Sequence, residues 1–81
     1  MDQEKIEHLV RDFLLGSDNE RTVVLKIRIL LGLVLDRDLK FGQAPIVMFH
    51  NDGLREASFT LINANDSGKS PIVIKVRVTV T

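Results

Sequence analysis

Ser17-Asp18-Asn19-Glu20-Arg21-Thr22-Val23-Val24-Leu25-Lys26-Ile27-Arg28-Ile29-Leu30-Leu31-Gly32-Leu33-Val34 is the stretch on which the fold turns. Read as a helix, it sets Val23, Val24, Ile27, Leu30, Leu31 and Val34 on one face, and Phe41 returns to the same side two turns later. Ser17 to Glu20 has capping-box spacing, and Lys40-Phe41-Gly42 has the form of a basic last turn before a glycine, so the helix signals frame residues 17–42. Read as a strand, Leu25-Lys26-Ile27-Arg28-Ile29 alternates with period two, Thr22, Val23, Val24, Ile27 and Ile29 are β-branched, and Gly32 costs a helix about 1 kcal/mol. The helix is the expected state, and a strand over 22–31 is its alternative. The helical reading has a consequence: Leu25, Ile29 and Leu33 form a second apolar stripe opposite the first, and one small sheet cannot cover both.

Before this stretch, Ile6, Leu9, Val10, Phe13 and Leu14 recur at helical spacing over residues 2–15, with Glu4, Lys5, Glu7, His8, Arg11 and Asp12 on the other side. An amphipathic helix is expected there, ended by Gly16 in a left-handed turn. After it, residues 42–45 read as a loop and Ile46 to His50 as a short strand behind Pro45, and Asn51-Asp52-Gly53 is hairpin-turn chemistry. Ala57, Phe59 and Leu61 alternate with Ser58 and Thr60, so the odd positions should face the core. Residues 63–70 read as a loop. Beyond Pro71, Ile72, Ile74, Val76, Val78 and Val80 alternate with Val73, Lys75, Arg77, Thr79 and Thr81, the clearest strand pattern in the chain. The expected architecture is α+β, with two N-terminal helices on one face of a three-stranded antiparallel meander. The alternative is one helix on a four-stranded, mostly antiparallel sheet.

At 81 residues the chain has room for a single small domain, and a 44% apolar composition is that of a folding chain. Eleven basic side chains balance eleven acidic ones, so no net field draws it toward nucleic acid or anionic membrane. The absence of cysteine excludes disulfides, a thiolate nucleophile and Cys-ligated zinc, which leaves apolar packing or oligomerisation to supply stability. Residues 23–35 are interrupted by Lys26 and Arg28 and are too short to span a membrane. The acidic, polar first residues lack the basic-then-apolar order of a secretory signal, so a cytoplasmic location is expected.

Four constellations invite a chemical reading. Ser67-Gly68-Lys69-Ser70 ends like a phosphate-binding loop, but Asn63 stands where that motif needs glycine, and Pro71 and a strand follow where it needs a helix. A turn using Asp66 and Gly68 is expected instead. Glu4, His8 and Asp12 share one helix face and together offer an imidazole and two carboxylates to a metal, as they equally would to solvent. His50-Asn51-Asp52 sets an imidazole beside a carboxylate, the pairing of general acid–base catalysis, at positions the turn itself demands. Lys75 and Arg77, extended by Lys26 and Arg28, would make a basic strip for a phosphate backbone, though no aromatic residue alternates with them for base stacking.

The surplus of apolar surface points to a non-enzymatic protein-interaction or regulatory module that forms a homodimer or docks on a larger partner. Its expected contact residues are Leu25, Ile29 and Leu33 on the helix and Val73, Lys75 and Arg77 on the last strand. The alternative is a nucleic-acid-associated regulator using Lys26, Arg28, Lys75 and Arg77. A small enzyme or metal-dependent protein around His8 or His50 is the third reading, and no cofactor, metal or catalytic residue is expected.

Overall fold

Helix α1 (Gln3–Leu15) leads through a short turn into helix α2 (Glu20–Val34), and strands β1 (Leu39–Phe49), β2 (Leu54–Asn63) and β3 (Ile72–Thr79) follow in a computed structural model of the chain. It describes residues 3–34, 38–66 and 68–80, the side chains of Leu31 and Val34 excepted. The strands form one antiparallel sheet in the order β1-β2-β3. Both helices pack on the same face of it, α1 over β3 and β2 and α2 over β1. The arrangement is α+β with two helices on a three-stranded meander, and residues 22–31 are helical.

The core lies between these two layers. Ile6, Val10 and Leu14 from α1 and Val23 and Ile27 from α2 meet Val47, Ala57, Phe59, Leu61, Ile74, Val76 and Val78 from the sheet. The helix residues are spaced one turn apart and the strand residues two positions apart, so each element contributes the side its period dictates. Phe59 is fully buried, and Phe41 meets it edge to face with ring centroids 5.6 Å apart.

That ring pair explains where the expected boundaries moved. The helix signals ran to Phe41, but α2 ends at Val34 and the strand begins at Leu39, taking in residues 42–45 that read as a loop. Phe41 reaches the core from β1 rather than from α2, with Leu39, Lys40 and Phe41 paired to Asn63, Ile62 and Leu61. Register shifts between Phe41 and Gln43 and between Gln43 and Ile46 accommodate Gly42 and Pro45, which an edge strand tolerates. Gly42 and Pro45 thus mark bulges inside the strand rather than a loop before it.

The caps also differ from expectation. Asn19, not Ser17, begins α2: its side-chain Oδ1 accepts the Thr22 N–H at 2.9 Å, and its carbonyl accepts the Val23 N–H. Glu20 does not close a capping box. Its carboxylate instead accepts the Phe49 N–H at 2.6 Å, tying the start of α2 to the end of β1. Gly16 is not left-handed, since the positive φ among the described residues belongs to Gly53. The open end of α1 is met by Arg55 of β2, whose Nη1 donates to the Leu14 and Gly16 carbonyls at 2.8 and 3.0 Å. The guanidinium also lies 4.3 Å from the centre of the Phe49 ring.

Gly53 closes the β1–β2 turn at φ 90°, and a Cβ there would run into the Val80 carbonyl. The Val80 N–H in turn donates to the Gly53 carbonyl at 2.8 Å. Arg55 and Gly53 therefore gather the α1–α2 turn, the hairpin and the end of β3 at one end of a molecule 41 Å long.

Arg55→Met keeps the packed stem and removes the two charge-assisted hydrogen bonds at the end of α1. It should lower unfolding stability by about 2 kcal/mol, read from urea unfolding followed by circular dichroism. An unchanged midpoint would mean that the C-terminus of α1 does not depend on this tie.

Candidate functional site

The two-layer build leaves two surfaces uncovered. The first is the outer side of α2, where Leu25, Ile29 and Leu33 are 50, 63 and 79% exposed while Val23 and Ile27 on the inner side are fully buried. Leu25, Ile29 and Leu33 are spaced by one turn each and form a ridge about 12 Å long. On the helical wheel Arg21 and Arg28 border one side of this ridge and Lys26 the other. Lys26 is neutralised by Asp18 and lies over the Phe13 ring. Arg21 and Arg28 are exposed and make no ion pair among the described residues. Together with Glu20, Val24 and Leu25 they line a shallow hollow beside the ridge.

The second surface is the sheet face turned away from the helices. The β2–β3 register sets Glu56 opposite Arg77, Ser58 opposite Lys75 and Thr60 opposite Val73. Ile46 pairs with Ser58 and Met48 with Glu56 across the β1–β2 boundary. Ile46, Met48 and Val73 are about half exposed on this face, and charged or hydroxyl side chains separate Val73 from the other two. At its hairpin end Glu56 is held from two sides: the His50 ring donates through Nε2 to its Oε2 at 2.7 Å, and Arg77 Nε lies 2.7 Å from its Oε1. The hydrogen bond to His50, with the charge of Arg77 added, holds the Glu56 carboxyl below its ordinary value of 4.5 against an opposing desolvation.

The sequence candidates fall into separate places. Leu25, Ile29 and Leu33 share the α2 ridge, whereas Val73, Lys75 and Arg77 share the open sheet face. Lys26 and Arg28 are on α2, which packs over β1, and Lys75 and Arg77 are on the far edge strand, so these four do not form one continuous strip. The partner of His50 is Glu56, not Asp52, because Asp52 Oδ1 accepts the Leu54 N–H within the turn. Sequence reading passed over Glu56, although a 49↔55 hairpin register would have placed it near His50. Glu4, His8 and Asp12 lie on exposed α1 surface, and no group of three His, Cys, Asp or Glu suited to a metal occurs among the described residues. Gly68 and Lys69 sit in a turn closed by Asp66 and are followed by β3; Ser67 lies outside the described residues, as does Thr81.

A polar-rimmed hollow at the opposite end, with Leu39, Leu61 and Ile72 among its lining, has no buried polar side chain aimed into it among the described residues. No helix among the described residues is long and apolar enough to cross a membrane. In comparisons with known proteins the chain matches no family model, no curated protein and no solved structure.

Because the folded Glu56 carboxyl titrates below its ordinary value, its contribution to stability is present above about pH 4.5 and is lost as pH falls through the folded value. Glu56→Gln removes that component. The difference in urea midpoint between wild type and variant should shrink as pH falls from about 5.5 toward about 3. Parallel pH profiles would show that Glu56 is not held in its charged form by His50 and Arg77.

Proposed function

We propose that this chain is a non-enzymatic protein-interaction module of the cytoplasm, and that its working surface is the outer ridge of α2. The observation that carries this reading is the exposure of Leu25, Ile29 and Leu33 in one row on a helix whose other side sends Val23 and Ile27 into the core. Scattered exposed apolar residues need no explanation, but three in a row on one rigid helix form a ready helix-packing surface.

The edge of β3 supports the reading less well. A two-fold antiparallel pairing of β3 with a second copy would bring Lys75 and Arg77 against the same residues of that copy on one face. Cations on an edge strand are a common guard against such pairing. The nucleic-acid reading has support from Lys75 and Arg77, weakened because Glu56 already binds Arg77 and Asp18 already binds Lys26. Its mark would be retention of RNA or DNA that falls steeply with salt.

Leu25→Glu with Ile29→Glu separates the ridge from the fold, because both side chains are half or more exposed and glutamate is a good helix former. The double variant should keep its circular dichroism spectrum and its stability to within about 1 kcal/mol. Native mass spectrometry of the tagged chain, gently captured from its own host, should show added mass on the wild type and only the 9.1 kDa chain in the variant. Equal masses for the two would reject the ridge as the working surface.

A further inference from the structure

Resting on that reading, we infer that the partner of the α2 ridge is an amphipathic helix of another protein with acidic residues along one flank of its apolar row. The inference comes from what borders the ridge. Arg21 and Arg28 stand seven residues apart, about 10 Å along the same flank, both exposed and without an acidic partner among the described residues. The carboxylates at the start of α2 have partners of their own: Glu20 accepts the Phe49 N–H, and Asp18 holds Lys26. Two unpaired guanidinium groups bordering an exposed apolar row are matched by two carboxylates spaced about two turns apart on a facing helix. Gly32, exposed beside Leu33 with nothing near the position of a Cβ, leaves a notch into which a partner side chain can seat.

A second copy does not meet this requirement. Antiparallel pairing of the ridge about Ile29 sets Arg28 against Arg28, and parallel pairing sets Arg21 and Arg28 against Lys26, whose carboxylate partner is already engaged. An anionic membrane would accept the charge, but helices that lie in a membrane interface commonly anchor through aromatic residues. This chain has no Trp or Tyr, and its Phe residues are engaged in the core: Phe59 is buried, and Phe13, Phe41 and Phe49 pack against it.

The test uses two fluorescent synthetic helices with the same leucine row at i, i+4 and i+8, one with glutamates two turns apart on a flank and one with lysines there. By fluorescence anisotropy the wild-type chain should bind the glutamate helix at least tenfold more tightly than the lysine helix, and the difference should shrink with added salt. Arg21→Glu with Arg28→Glu should reverse the preference, and Arg21→Gln with Arg28→Gln should abolish it, each with an unchanged circular dichroism spectrum. Failure of the wild type to bind or to discriminate overturns the inference. Binding to phosphatidylserine vesicles that the arginine variants lose, without discrimination between the helices, would replace it with a membrane surface. A dimer dissociated by Leu25→Glu with Ile29→Glu, again without helix binding, would replace it with a second copy and leave the interaction-module reading standing. If that double variant changes no assembly at all, both readings fall together.

Discussion

A helix that is apolar on two sides, packed against a sheet that can accept only one of them, is the constraint from which the rest of this structure follows. Val23 and Ile27 enter the core, and the 3.6-residue period then carries Leu25, Ile29 and Leu33 outward. Among the described residues no further layer lies over that outer side. The open face of the sheet is left uncovered for the same reason, but there charged and hydroxyl side chains alternate with apolar ones and the surface is mixed. Among the described residues, only α2 presents an uncovered surface with an unbroken apolar row.

Polar ties concentrate at the end of the molecule where α1 passes into α2. Arg55 meets the end of α1, Glu20 meets the last amide of β1, and Gly53 exchanges a close contact with Val80. Each joins segments far apart in sequence, and together they set the helix pair over the sheet at one fixed end. The helix axes then run away from this end across strands of 8 to 11 residues, and apolar burial does the remaining work. The Glu20 tie thus fixes the start of α2 against the end of β1, and burial of Val23 and Ile27 turns the ridge outward.

Most of the fold was legible because its periods are clean. The alternation from Ile72 to Val80 and from Ala57 to Leu61, and the 3.6-residue spacing of Ile6, Val10 and Leu14, each act within one element and can be read without knowing its neighbours. What escaped was set across elements. Phe41 belongs to β1 because it packs on Phe59, and the end of α1 is met by Arg55 rather than by a left-handed Gly16. The Glu56 cluster depends on two strand registers at once. For the candidate surface, the apolar row on α2 could be read from spacing alone. The separation of Lys26 and Arg28 from Lys75 and Arg77 needed the sheet order and the side on which the helices lie.

Because the chain contains no cysteine, single cysteines can be placed along α2 one at a time and their rates of thiol alkylation compared in dilute, purified protein. Fast labelling is expected at positions 25, 29 and 33, with protection on the order of 100-fold at positions 23 and 27, where reaction must wait for the core to open. Labelling that alternates with period two across 22–31, or protection at 25, 29 and 33 in the monomer, would contradict a helix that buries one apolar side and presents the other.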